Sequence, residues 1–170
     1  MPSFTPNPNP VPNRRTPWRL VLVLGLIGIA VLGCRMHAPK FTVPTGGTLP
    51  PCPASPNCVC SQDPDPDHQI APLVFSGSAT DAWARLKRVV TELPRTRIAE
   101  EHPGYFRVEF TTRLMRFVDD VEFLMDSAGS RIHVRSASRV GYSDLGANRK
   151  RVEQLRAAMD QTGGSVSKSK

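Results

Sequence analysis

Acidic residues are absent from the first third of this chain. No aspartate or glutamate precedes Asp63 in the 170 residues, whereas Arg14, Arg15 and Arg19 are basic. Long apolar runs are lacking as well, since the longest covers only residues 20–33. A helix of that length measures about 21 Å, against about 30 Å for the hydrocarbon core of a bilayer. A basic segment followed by a short apolar one is typical of an export signal and does not favour a spanning helix.

Common catalytic motifs are also missing. The sequence contains neither a Gly-x-Ser-x-Gly elbow nor a His-Glu-x-x-His pair. His68, His102 and His133 lie in a predicted loop, a turn and an outward strand face, without an orienting acid. We therefore predict no catalytic residue, no cofactor and no metal, and rank a hydrolase last among the possible functions.

The apolar run ends in Gly33 followed by Cys34, which resembles the lipobox of bacterial lipoproteins. The resemblance implies cleavage before Cys34 and a lipid on Cys34, with residues 1–33 as the signal peptide. The expected location is the cell membrane or the outer membrane, with the domain outside the cytoplasm and anchored to membrane lipid. An uncleaved anchor that includes Pro17 and Trp18 stays an alternative.

The charge of the chain limits the classes of partner. The formal net charge is +7, and losing the three arginines of residues 1–33 leaves about +4. Such a balance suits a protein near an anionic lipid surface. It is too weak, and too mixed with acids, to indicate a nucleic-acid partner.

Composition divides the remainder into three parts. Residues 34–49 are rich in proline and glycine and predict an extended tether. Residues 50–161 predict a single α+β domain, and residues 162–170 a disordered tail.

Hydrophobic periodicity predicts the architecture of that domain. A helix capped near Ser78 and ended by Pro94 precedes four strands, and a second helix follows them. The predicted strands and the second helix cover residues 97–101, 105–112, 117–126, 130–137 and 145–160, with a possible further strand at 71–75. We expect a two-layer α+β fold, with an antiparallel sheet of about four to five strands and two main helices packed on one face.

The last two strands predict a hairpin whose register follows from its apolar faces. Phe123 is expected opposite Val134, which also pairs Glu122 with Arg135 across the other face. Asp119 then points to the core side, roughly opposite Ser138. Because a buried carboxylate needs partners, we predict a buried polar network that contains Asp119 and Ser138.

Three cysteines lie in the segment Cys52-Pro-Ala-Ser-Pro-Asn-Cys58-Val-Cys60. Outside the cytoplasm such residues usually pair, and Cys52 with Cys58 closes a small loop. Cys60 is then left buried, paired between molecules or reactive. A metal site formed by the three thiols and His68 is the alternative, although the spacing matches no standard zinc pattern.

Three separated motifs carry a family resemblance. They are Cys52-Pro-x-x-Pro-Asn-Cys58, Arg116-Phe-Val-Asp119-Asp120-Val-Glu122-Phe, and the run from Arg135 to Glu153. In this order they resemble the uncharacterised family catalogued as domain of unknown function 1499. The resemblance implies bacterial or plastid proteins, often exported or membrane-associated, and gives no catalytic residue.

Arginines and polar residues cluster in sequence between the last strand and the last helix. The candidate anion-binding or ligand-binding residues are Arg135, Arg139, Tyr142, Asn148 and Arg149. The alternative is that these arginines pair with Asp119, Asp120 and Asp144 and only fix the loop.

The resulting hypothesis is an exported, lipid-anchored envelope protein that binds an anionic envelope component or a lipid headgroup. A structural or scaffolding lipoprotein that contacts another envelope protein is the alternative. An exposed apolar patch beside the Arg139 loop would favour this alternative over a small-ligand site.

Overall fold

The computed structural model describes residues 43, 44 and 46–164, with side chains up to residue 161. Cys34, the predicted signal peptide and most of the predicted tether lie outside these residues. In the part of the chain that is described, no helix combines the length and the apolarity needed to cross a membrane.

Six strands and two helices make up the described domain. In chain order they are β1 (Cys58–Cys60), β2 (Leu73–Val74), α1 (Ala79–Glu92), β3 (Thr96–His102), β4 (Tyr105–Thr111), β5 (Val118–Asp126), β6 (Arg131–Ser138) and α2 (Ala147–Gly164). The strands form one antiparallel sheet in the order β1-β6-β5-β4-β3, with β2 also paired to β6. The predicted two-layer α+β fold is confirmed. The sheet exceeds the expected four to five strands because the short β1 and β2 both pair with β6.

The main core lies between the sheet and both helices. Alternate strand residues such as Phe106 and Phe123 pack there against helix residues such as Leu86 and Leu155. Trp83 packs edge-on against Phe106, with ring centroids 4.8 Å apart. We call this side of the sheet the helix face.

The opposite side of the sheet, which we call the far face, carries a second and smaller cluster. Tyr105 and Leu124 pack there with Cys60 and with Leu49, which precedes β1. Leu49 is buried although it falls at the end of the predicted tether. The segment before β1 therefore covers part of the far face.

The predicted hairpin register is confirmed. Phe123 lies opposite Val134, and Asp119 lies opposite Ser138. A slip of one residue would have turned these apolar side chains to the far face, so the core fixes the pairing.

Helix boundaries differ from the prediction mainly at α2. Leu145 and Gly146 have positive φ angles of 53° and 79°, so the helix begins at Ala147 and not at residue 145. The side chain of Asp144 accepts hydrogen bonds from the Asn148 and Gly146 backbone amides at 2.7 and 2.9 Å. At its other end α2 continues to Gly164, into the segment predicted as a tail.

Candidate functional site

The five residues of the predicted anion cluster occupy three different places. Arg135 and Arg139 lie on the far face with acidic partners. Asn148 is buried in a polar network on the helix face. Tyr142 and Arg149 line a surface pocket. These five residues are close in sequence but do not form one site in the structure.

The two far-face arginines are held by carboxylates. Arg139 contacts both oxygens of Asp120, at 2.7 and 2.8 Å, and Glu109 at 2.6 Å. These hydrogen bonds, chiefly the one with Asp120, raise the pKa of Arg139 although burial opposes the shift. Arg135 donates to the buried Glu122 at 2.8 Å. Both guanidinium charges are balanced within the sheet. Of the alternative pairings with Asp119, Asp120 and Asp144, these two arginines form the one between Arg139 and Asp120, whereas Arg135 pairs with Glu122.

Asp119 and Ser138 belong to one connected polar network. Asp119 is 4% exposed and pairs with Arg151 of α2. Arg151 also donates to Asn148 Oδ1 at 2.6 Å, and Asn148 Nδ2 donates to the Ser138 hydroxyl at 3.0 Å. The network joins β5, β6 and α2, and its members satisfy one another, which indicates a structural role.

The disulfide between Cys52 and Cys58 is confirmed, with Cα atoms 5.7 Å apart. Cys60 is a free and fully buried thiol. The alternative of a metal site on three thiols is wrong because two of those thiols are joined. Within the described residues, no three side chains of the metal-binding types converge.

A pocket of about 280 Å³ lies between three loops, and we call it the loop pocket. The disulfide loop, the acidic segment after β1 and the loop before α2 each contribute to its wall. Its charged and aromatic lining residues are Asp65, Asp67, His68, Tyr142, Asp144 and Arg149. Asn57 holds the first loop to the third by donating from Nδ2 to the Gly141 carbonyl at 2.5 Å.

The loop between β4 and β5 is exposed and apolar at its tip. We call residues 112–117 the tip loop. Leu114 is 87% exposed, Met115 64% and Phe117 45%. Arg113 and Arg116 flank Leu114 and Met115 and make no ion pair with any described residue. Exposed apolar side chains between unpaired arginines mark an interaction surface.

Hydrogen bonds fix the base of the tip loop. The Thr112 amide donates to the Phe117 carbonyl at 2.8 Å, and the Phe117 amide donates to the Thr112 hydroxyl at 2.9 Å. Arg116 has a positive φ of 57°. These two hydrogen bonds close a turn, and residues 113–116 project from it into solvent.

The loop before α2 exposes apolar side chains at the same end of the sheet. The Arg139 amide, just after β6, donates to the Val118 carbonyl at the start of β5. Tyr142 and Leu145 follow and are 76% and 97% exposed. Exposed apolar side chains therefore lie beside the Arg139 loop, which is the feature expected of the alternative in which the protein contacts another envelope protein.

Residues 48–159 match the family model described as Protein of unknown function (DUF1499). The chain belongs to this family. The resemblance noted from three motifs is therefore confirmed. No curated protein matches the sequence. The DUF1499 domain includes the tip loop, the loop pocket and all the buried polar contacts described above.

One histidine of the DUF1499 domain lies beside a serine. The Ser61 hydroxyl and His133 Nδ1 are 3.2 Å apart, and His133 Nε2 lies 3.9 Å from an Asp126 oxygen. The serine oxygen also accepts the Val134 amide. None of the three side chains lines the loop pocket.

Sequence reasoning missed the tip loop of the DUF1499 domain and the acidic wall of its pocket. Two adjacent large apolar residues between arginines in a hairpin connection, Arg113-Leu-Met-Arg116, were the available signal for the first. The run Asp63-Pro-Asp-Pro-Asp-His68, next to the cysteine loop, was the signal for the second.

Proposed function

We propose that the chain is an exported, lipid-anchored cell-envelope protein whose domain binds anionic lipid headgroups through the tip loop. The exposed Leu114 and Met115 between Arg113 and Arg116 carry this proposal. The anchor follows from the resemblance of Gly33-Cys34 to a lipobox.

The composition of the tip loop matches the requirements of a bilayer surface. Apolar side chains enter the boundary between headgroups and acyl chains, and arginines pair with the phosphates above it. Each basic residue contributes about 1 kcal/mol near an anionic leaflet. Leu114, Met115 and Phe117 add the energy of partial apolar burial, about 25 cal/mol per Å².

Arg113 and Arg116 also replace the far-face arginines as the anion-binding groups. Because Arg135 and Arg139 are balanced by carboxylates, binding an anion there would first require breaking ion pairs. The tip arginines carry no such penalty, since they are exposed and unpaired within the described residues.

A structural lipoprotein that docks on another envelope protein is the second candidate. The exposed Tyr142 and Leu145 favour it, because they extend the apolar surface beyond the tip loop. The two candidates differ in their need for anionic lipid, and a vesicle experiment separates them.

The experiment measures binding in trans. The full chain is reconstituted in phosphatidylcholine nanodiscs, so that its anchor is occupied, and mixed with sedimentable vesicles of phosphatidylglycerol or phosphatidylcholine. We expect binding to phosphatidylglycerol that weakens as salt is raised. Replacing Arg113 and Arg116 together by Gln lowers the partition coefficient by roughly 30-fold, at about 1 kcal/mol for each arginine.

Arg88→Gln is the matched control, since Arg88 is exposed on α1 and its loss changes the net charge in the same direction. It should bind as the unchanged chain does. Equal binding to both vesicle types, or full binding by the double variant, would reject the lipid proposal and favour the protein partner.

A further inference from the structure

The loop pocket contains more acid than base. Asp65, Asp67 and Asp144 line it with one guanidinium, that of Arg149. Arg149 directs its two terminal nitrogens to the backbone carbonyls of Gln69 and Asp67, at 2.8 and 3.1 Å. The pocket is therefore unsuited to an anion and favours a positively charged group.

A buried histidine presents an acceptor at the same place. His68 lines the pocket and is only 7% exposed. Its Nδ1 lies 2.9 Å from the Cys58 carbonyl oxygen, which can only accept, so Nδ1 carries the hydrogen. In the uncharged ring Nε2 then holds a lone pair, and no group of the described residues donates to it.

The carboxylates of the pocket are not equally available. Asp144 accepts backbone hydrogen bonds on both carboxylate oxygens and thereby caps the start of α2. Asp65 accepts the Asp67 amide on one oxygen, at 3.0 Å. The Asp67 carboxylate accepts no hydrogen bond from the described residues. Among the described residues, Asp67 is thus the aspartate of the pocket whose carboxylate has no hydrogen-bond partner.

An aromatic ring completes the lining. Tyr142 borders the pocket with 76% of its surface exposed. Aromatic faces attract ammonium groups through their quadrupole, and carboxylates do so through charge. A lone-pair acceptor such as Nε2 takes one N–H of the same group.

We propose that the loop pocket binds the primary ammonium group of a small polar molecule or headgroup. The Asp67 carboxylate balances its charge, His68 Nε2 accepts one of its N–H groups, and Tyr142 covers it. The volume of about 280 Å³ suits a molecule smaller than a typical drug. The site is separate from the tip loop and does not depend on membrane binding.

Calorimetric titration of the full chain in dodecyl maltoside tests the site without any vesicle. Phosphate buffer is used because Tris is itself an amine. Glucosamine, ethanolamine and phosphoethanolamine are the probes, and N-acetylglucosamine is the matched sugar without a positive charge. We expect the amines to bind and N-acetylglucosamine to bind at least tenfold more weakly.

Comparison of the amines identifies the source of the group. Tighter binding of phosphoethanolamine than of ethanolamine assigns the site to a lipid headgroup, and tighter binding of glucosamine assigns it to an amino sugar. If all three amines fail to bind, or if N-acetylglucosamine binds as tightly as glucosamine, the proposal is wrong.

Three substitutions test the assigned roles. Asp67→Asn keeps the shape of an exposed side chain and should weaken amine binding about fivefold or more. Tyr142→Ala should weaken it about three- to fivefold. His68→Asn retains a donor for the Cys58 carbonyl but removes Nε2, and should also weaken binding.

His102→Asn, at the exposed last residue of β3, is the control and should bind amines normally. The urea midpoint of each variant is measured alongside, so that a folding defect is recognised. Unchanged affinity in both Asp67→Asn and Tyr142→Ala would overturn the assignment of the pocket even if amines bind elsewhere on the chain.

Discussion

The thiol of Cys60 is shielded from solvent by the residues that pack over the far face. The residue is fully buried on the far face among Leu49, Tyr105 and Leu124. Burial raises the pKa of this thiol, and the Gln62 backbone amide only partly offsets the effect. Because the thiolate is the reactive form, the residue is both inaccessible and chemically quiet.

We therefore predict that Cys60 does not react with iodoacetamide in the folded protein. Mass spectrometry of the peptide that contains Cys60 should show alkylation only after urea unfolding. The disulfide between Cys52 and Cys58 is left unreduced as an internal control. Rapid labelling of Cys60 under native conditions would contradict the packing described for the far face.

Residue chemistry alone could not locate the candidate site. Strand parity correctly placed Asp119 toward the helices, because alternation along β5 is strict. It also placed Arg135 on the opposite side, where buried Glu122 neutralises it. The environment of Tyr142 and Arg149 depends on the loop around His68, which is distant in sequence, and no local pattern encodes that contact.

At the level of elements, Arg139 connects three parts of the sheet. It follows β6 and binds Asp120 of β5 and Glu109 of β4. Asp120 is buried, and Arg107 supplies its second ion pair. The end of β6 is thus tied to two neighbouring strands by charge as well as by backbone hydrogen bonds.

Arg139→Ala should lower the free energy of unfolding by about 2–3 kcal/mol, since a buried carboxylate loses charged hydrogen bonds. Urea denaturation measures this change. Arg113→Ala removes an equal charge from the exposed tip loop and should change stability by less than about 0.5 kcal/mol. Equal stability of the two variants would show that the Arg139 pairs contribute little.

Element boundaries show where sequence patterns suffice. Both helices and the strands β4, β5 and β6 were predictable because each carries apolar residues at the spacing of its element. β3 has only Ile98 and Ala99 and was inferred from its place before the turn at residues 103–104. β1 was not predictable, since three residues are too few for a period and two of them are cysteines. The start of α2 was predicted two residues too early. Leu145 and Gly146 precede the helix in a turn, where both have a positive φ that the sequence pattern did not reveal.

At the scale of the whole molecule, two titrating groups link stability to pH. Burial lowers the pKa of His133, with Arg131 adding to the effect and Asp126 opposing it. Burial acts to raise the pKa of Glu109, but hydrogen bonds from Arg139 and Arg97 outweigh it and the pKa is lowered. Both groups bind fewer protons when folded, so stability falls as the pH falls.

The contribution of His133 should be complete above about pH 6.5 and should decline below it, and that of Glu109 should decline below about pH 4.5. Urea midpoints across this range measure the decline. His133→Asn should flatten the first step, whereas His102→Asn, at the exposed end of β3, should retain it. Stability that rises on acidification between pH 7 and 5 would contradict the sign for His133, and stability that rises below about pH 4.5 would contradict the sign for Glu109.

If the tip loop of the anchored protein contacts an anionic bilayer, as proposed, the depth of residue 115 in that bilayer can be measured directly. Full-length Met115→Trp and Val74→Trp chains are reconstituted in bilayers that contain brominated phosphatidylglycerol, with the unchanged chain giving the background of Trp18 and Trp83. Val74 of β2 is also exposed, but it pairs with Arg131 at the start of β6, at the opposite end of the sheet from the tip loop. We predict that the bromine atoms quench the added tryptophan at position 115 and not the one at position 74. Equal quenching at both positions, or none at position 115, would contradict the proposed membrane contact.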